Sequence, residues 1–141
     1  MRPGVTHLPT HIDDRGSVFC VMDWMHTKGI KRTYTVTNFS KGMIRAWHGH
    51  KEAHTYMHVV SGAVKIAALN MANDEDLESA VLTGEKPQIF YVPPGFYNGA
   101  ISLTDNTKIM VYSTLTFDEV KNDNYRESYN VRGDIWEVKN R

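Results

Sequence analysis

Four of the seven histidines, His48, His50, His54 and His58, fall within one short stretch of the chain. Side chains alternate faces along a β-strand, so His48 and His50 share one face of their strand, and His54, Tyr56 and His58 share one face of the next. If the two strands are neighbours, the imidazoles converge. Imidazole serves two kinds of chemistry: a neutral nitrogen ligates a divalent metal, and a group titrating near neutrality moves protons. The spacing is compatible with both. His58, next to the turn at Ser61-Gly62, also reads as a structural residue.

The elements that must hold these side chains are short and β-rich. Runs at 17–23, 31–38, 43–50, 54–61, 63–69, 88–92 and 108–114 alternate with turn signals such as Asp13-Asp14-Arg15-Gly16, Ser40-Lys41-Gly42 and Pro93-Pro94-Gly95, the rhythm of a sandwich or barrel. Segment 71–82 is acidic and reads as a helical turn or a solvated loop. Thr116-Phe117-Asp118-Glu119 has the spacing of a capping box that opens a short helix. The last fifteen residues, with Trp136 among charges, read as a tail packed on the barrel.

The chain has 141 residues, enough for one domain (1–141). Sixteen basic and sixteen acidic residues give a formal net charge of zero, so no global field draws it to nucleic acid or to an acidic membrane. No stretch approaches the roughly 20 apolar residues of a membrane span, and the amino terminus carries no apolar run of a secretory signal. A cytoplasmic setting is the expectation. Cys20, the single cysteine, reads as a buried apolar thiol.

Gly42-Met43-Ile44-Arg45-Ala46-Trp47-His48-Gly49-His50 followed by Ser61-Gly62 resembles the first cupin motif, and Val92-Pro93-Pro94-Gly95-Phe96-Tyr97-Asn98 the second. The metal-binding version has a glutamate four or five places beyond the His-x-His pair and a histidine three places beyond the second motif's glycine. Here those positions hold His54 or Thr55, and Asn98. A closer resemblance runs through Asp14-Arg15-Gly16, Asn38-Phe39-Ser40, Ile44 to His48, Val59 to Val64, Tyr91 to Phe96 and Tyr112-Ser113-Thr114. Together these are similar to the dTDP-4-dehydrorhamnose 3,5-epimerases, and His48-Gly49-His50-Lys51 to the His-Ala-His-Lys of dTDP-sugar 3,4-ketoisomerases.

The resemblance implies an all-β, cupin-type double-stranded β-helix acting on a nucleotide-linked 4-keto-6-deoxysugar, without metal or cofactor. It puts His48 in the place of the base and Tyr112 in that of the acid. Alternation of Lys108, Met110 and Tyr112 also lets the phenol point inward. His50, if protonated, or Lys51 would meet the enolate oxygen. Arg45 and Arg15 fall where those enzymes hold phosphate, and His54 and Asn98 complete the expected substrate contacts. Strict alternation puts Arg45 opposite His48, so its role requires a bulge or a rim position. Tyr34, Phe39, Trp47 and Phe96 are all candidates to stack on the nucleotide base, and Asp134 is the nearest candidate to orient His48. Two other readings stay open: a sugar- or nucleotide-binding cupin without turnover, and a metal enzyme using His48, His50 and His54. Segment 17–23, followed by Trp24 and Met25, offers an exposed strand edge. The expectation is a homodimer with residues before Asn38 at its interface and Arg15 turned towards the neighbour's pocket.

Overall fold

The computed structural model describes residues 1–22 and 29–141. Residues 23–25, which carry the end of the expected strand at 17–23 together with Trp24 and Met25, lie outside the described residues. The strands are β1 (Gly4–His7), β2 (Thr10–Asp13), β3 (Gly16–Phe19), β4 (Arg32–Asn38), β5 (Ile44–His50), β6 (Thr55–Ser61), β7 (Ala63–Asn70), β8 (Leu77–Thr83), β9 (Gln88–Val92), β10 (Phe96–Ser102), β11 (Thr107–Ser113) and β12 (Tyr125–Arg126). They form two antiparallel five-stranded sheets, β1-β9-β6-β11-β4 and β12-β5-β10-β7-β8, with β2 and β3 apart as a hairpin. This is the expected jelly roll.

The sheets face each other because each contributes one apolar side of its alternation. Met57, Val59, Phe90, Val92, Ile109 and Val111 from the first meet Val64, Ile66, Ala68, Leu82, Phe96 and Ala100 from the second. Two further apolar layers cover the outer faces. Behind β5, β10 and β7 lie Trp47, Ala67, Leu69 and Ile101, closed over by Ile135 and Trp136 of the carboxyl-terminal tail. The tail is fastened by Trp47 Nε1–H donating to the Val131 carbonyl (2.7 Å) and Lys65 Nζ to that of Ile135 (2.6 Å). The Trp47 and Trp136 rings lie 5.1 Å apart. Behind the first sheet, Leu8, Tyr56 and Ile89 are joined by Phe19, Val21, Met22, Tyr91 and Tyr112.

Several elements differ from the sequence expectation. Segment 71–82 is neither a helical turn nor loop throughout: turns within 71–76 lead into the edge strand β8, whose consecutive exposed residues Glu78 and Ser79 leave an incomplete alternation. β10 lies between β5 and β7 and is covered on both sides, so it lacks the two-residue polarity rhythm that marks a half-exposed strand. Cys20 is exposed rather than buried. The capping box did form: Thr116 accepts from the Glu119 backbone N–H, and Glu119 reaches back to Thr116, opening α1 (Phe117–Val120). Among the described residues no helix is long and apolar enough to cross a membrane.

Trp136 is 5% exposed and stacks on the outer side of the strand that carries His48 and His50. Its replacement by alanine is expected to cost about 3–5 kcal/mol of folding stability, read as a lower urea midpoint. A change below 1 kcal/mol would mean the tail is not part of the cooperative fold.

Candidate active site

β5 is bulged. Its register with β10 pairs Ala100 with Arg45, Gly99 with Ala46 and Asn98 with His48, so Trp47 is the extra residue. The Ala46–Trp47 peptide is cis. Trp47 turns into the outer layer, and its backbone N–H and carbonyl pair with Glu127 instead. Because Asn98 and Ala100 lie on one face of β10, their partners His48 and Arg45 also share a face. This is the bulge that the expected placing of Arg45 with His48 requires. Gly99 allows the packing: a Cβ there would meet Ala46 Cβ at 2.7 Å and the Trp47 ring at 2.9 Å.

That shared face lines a cavity of about 250 Å³ between the sheets. His48, His50, Arg45 and Asn98 line one wall, and Tyr34, Met57 and Val111 are among those on the other. Arg45 is tethered: its Nε donates to Asn38 Oδ1 (2.7 Å) and an Nη to the Thr37 carbonyl (3.3 Å). Asn38 in turn bonds Ser102 Oγ (2.9 Å), which bonds Thr107 Oγ1 (2.8 Å). The guanidinium is thus aimed before any ligand arrives.

The two histidines differ. His50 Nδ1 bonds the Asp123 carbonyl. A carbonyl only accepts, so this nitrogen carries the proton in either charge state of the ring. The Asp123 carboxylate, itself buried, accepts the backbone N–H groups of Lys51 (2.7 Å), Glu52 (3.0 Å) and Ala53 (3.2 Å). His48 titrates below its ordinary range, chiefly because burial disfavours the imidazolium, and then through the charges of Arg126, His50 and Arg45. It is therefore neutral at neutral pH and able to take a proton. Among the described residues no carboxylate is one of the groups acting on it. Asp134, the expected partner, instead pairs with Arg132 on the tail (3.1 Å).

Other expected residues lie elsewhere. β6 belongs to the sheet opposite β5, and its cavity-facing residue is Met57, so His54, Tyr56 and His58 look the other way. His54 Nδ1 bonds Tyr91 Oη (2.7 Å) in the outer layer, and His58 packs against the edge of Phe19. The three-histidine ligand set is not assembled, and among the described residues no group of three His, Cys, Asp or Glu is gathered to hold a metal ion. Tyr112 also faces outward, because Ile109 and Val111 take the inward positions of β11. The phenol in the cavity wall is that of Tyr34, kept protonated by burial against the opposing pull of Arg32, whose guanidinium lies 4.5 Å from the ring centre. Lys51 is not in the cavity wall, and its Nζ sits over the Tyr125 ring (4.5 Å). Arg15, in the β2–β3 turn, pairs with Asp13 (2.6 Å) with its side chain 85% exposed, and does not line this cavity. Of the candidates to stack on the base, Trp47 and Phe96 are buried and Phe39 is 82% exposed, which leaves Tyr34 at the cavity. Asp123 and Arg126 were missed, because nothing near them in sequence marks β12 as an edge closing on β5.

A profile described as "FdtA: WxcM-like, C-terminal" matches residues 1–132. The chain belongs to this family. Among solved structures, a 3,4-ketoisomerase from Helicobacter canadensis is similar at 18% identity, covering 97% of this chain and 99% of that one, with a TM-score of 0.75. The QdtA 3,4-ketoisomerase from Thermoanaerobacterium thermosaccharolyticum, a double mutant in complex with TDP, shares 20% identity over 95% of this chain and 90% of that, with a TM-score of 0.72. The dTDP-4-dehydrorhamnose 3,5-epimerase of Bacillus anthracis, with TDP and PPi bound, shares 17% identity over 91% and 79%, with a TM-score of 0.78. No curated protein sequence matches. At these identities the likeness establishes that this FdtA-family chain shares their jelly-roll fold.

The Asp123 carboxylate is what ties the 51–53 turn of this family member to β12. Asp123→Ala is expected to cost about 2 kcal/mol or more, as charge-assisted bonds are lost, and to speed amide exchange selectively at Lys51, Glu52 and Ala53. Unchanged exchange at those three amides would remove Asp123 from that part.

Proposed function

We propose that this chain is an isomerase of nucleotide-linked 4-keto-6-deoxysugars, and that the reaction is 3,4-ketoisomerisation. The observation that carries the reading is His48, a neutral imidazole in the cavity wall, with a tethered Arg45 on the same face and a protonated Tyr34 opposite. Membership of the FdtA family supports it, as does the match with a 3,4-ketoisomerase over nearly the full length of both chains. The 3,5-epimerase is matched over 79% of its length.

His48 takes the proton from the carbon beside the ketone, and the electron pair of that C–H bond moves onto the carbonyl oxygen as an enolate. Proton transfer between the two neighbouring oxygens, and return of a proton to the former carbonyl carbon, moves the ketone one position with no net redox change. Tyr34 is the acid on the opposite wall in place of Tyr112, which lies behind the sheet. Arg45 takes the diphosphate, since a planar guanidinium matches phosphate oxygens in pairs. A cavity of about 250 Å³ holds the sugar ring and leaves the nucleotide at the mouth. The apolar lining limits water around the enolate.

The same reading includes a homodimer in the cytoplasm. The β2–β3 hairpin joins neither large sheet of its own chain, and it exposes Ile12 (75%) and Val18 (68%). A two-fold arrangement covers both hairpins and carries Arg15 to the neighbour's cavity.

With TDP-linked 4-keto-6-deoxyglucose in deuterated water, the wild-type chain is expected to place the ketone at carbon 3 and to take up deuterium. Epimerised product would replace ketoisomerisation by epimerisation, and no exchange with a panel of such sugars would leave the non-catalytic binding reading. His48→Asn is expected to abolish exchange while TDP affinity persists. Tyr34→Phe is expected to lower product formation by about 10²–10⁴-fold, whereas Tyr112→Phe leaves turnover near wild type; the reverse pattern would restore Tyr112 as the acid.

Light scattering is expected to give a dimer for the intact chain and a monomer, or aggregated material, for a version lacking residues 1–22. A monomeric intact chain would refute the dimer, and a soluble truncated dimer would refute the hairpin's part in it.

A further inference from the structure

The proposed reaction creates an anion whose counter-charge the sequence reading gave to His50 or Lys51. An enolate in an apolar cavity is costly unless a fixed donor meets its oxygen. Lys51, the expected cation, stacks outside on Tyr125. The Nδ1 proton of His50 is committed to the Asp123 carbonyl, and Arg45 is tethered to Asn38 and Thr37.

β12 supplies another cation. Its register with β5 pairs Tyr125 with Gly49 and Arg126 with His48. Residues directly opposite in an antiparallel pair lie on the same face, with Cα atoms roughly 4.5–5.5 Å apart. The neighbours check this parity. Tyr125 lies under Lys51 on the outer side, and Glu127 acts electrostatically on Tyr97, which packs in the outer layer. Arg126, between them, is by register on the same face as His48, exposed at the sheet edge beside the cavity rather than among the residues that line it. Among the described residues its guanidinium makes no hydrogen bond or ion pair, and its charge acts on His48.

We propose, resting on the isomerase reading, that Arg126 is a further catalytic residue: β12 delivers its guanidinium to the ketone oxygen, where it holds the charge of the enolate that His48 creates. The oxygen is bonded to the carbon next to the one that His48 deprotonates, so a side chain directly opposite His48 is placed to reach it. As the C–H electron pair moves to oxygen, the guanidinium stabilises it without transferring a proton, since arginine stays protonated. It also helps keep the base neutral, one charge serving both ends of the step.

The test uses the full-length chain with Arg126→Gln and Arg126→Lys. For Arg126→Gln, turnover and deuterium uptake from TDP-linked 4-keto-6-deoxyglucose at saturation are expected to fall by about 10²–10³-fold, with affinity for TDP unchanged. Arg126→Lys is expected to recover part of the rate. In NMR titrations the His48 imidazole of Arg126→Gln should titrate at higher pH than in wild type, because a neighbouring positive charge is gone while burial and the charges of His50 and Arg45 remain. The acid limb of its residual activity should move up in pH with it. Loss of TDP affinity with undiminished exchange at saturation would make Arg126 a phosphate ligand and overturn the proposal. So would a wild-type rate in Arg126→Gln, or an unmoved His48. A wild-type chain that exchanges no such sugar would sink the isomerase reading and this role together, whereas an active wild type beside an equally active Arg126→Gln would sink this role alone.

Discussion

The candidate site depends on one extra residue in one strand. Without the bulge at Trp47, strict alternation would send Arg45 and His48 to opposite faces of β5, and the cavity would hold either the imidazole or the guanidinium. The bulge is held from both sides. Trp47 is fully buried in the outer layer under Trp136, and its backbone groups pair with Glu127. On the other strand, Gly99 leaves the room that any side chain would fill. The carboxyl-terminal tail therefore acts on the candidate site from behind, by making the bulged arrangement the one that buries a tryptophan.

The segment from Asp123 to Glu127 does the complementary work at the edge. The Asp123 carboxylate gathers three backbone N–H groups of the turn after β5, its carbonyl sets the tautomer of His50, and three residues later Arg126 lies across from His48. Charge follows from this placement. Among the described residues the charges acting on His48 are those of Arg126, His50 and Arg45, and no carboxylate is one of them, so the cavity wall is electropositive around a neutral imidazole. Such a wall suits a ligand that brings phosphate and develops further negative charge as it reacts. It is also a different solution from orienting the histidine with an aspartate, since here a backbone carbonyl orients His50 and burial keeps His48 unprotonated.

How much of this was legible in the sequence follows from what each feature requires. Strands that are polar on one face announced themselves by alternation, as did the turn at Asp13 to Gly16 and the capping box at Thr116, which rest on neighbours a few residues apart. β10 stayed hidden because both its faces are covered, and β8 because its edge position interrupts the alternation. The pairing of residues within a strand was also readable: His48 with His50, and His54 with Tyr56 and His58.

Which of those faces meets the cavity was not in the pattern. Alternation defines two sides of a strand but does not say which side a sheet turns inward, and β5 and β6 ended in opposing sheets rather than side by side. That, with Met57 taking the cavity-facing position of β6, removed His54 from His48 and His50. The inward pair Ile109 and Val111 on β11 likewise put Tyr112 behind the sheet and left Tyr34 as the phenol within. By itself the sequence determined the fold class, the strand that bears His48 and His50, and the need for a bulge if Arg45 is to share their face, because these rest on local periodicity and short motifs. Only the tertiary structure decided the parity of β6 and β11 and the arrival of Asp123 and Arg126 beside β5, because those depend on packing between residues some fifty to eighty positions apart.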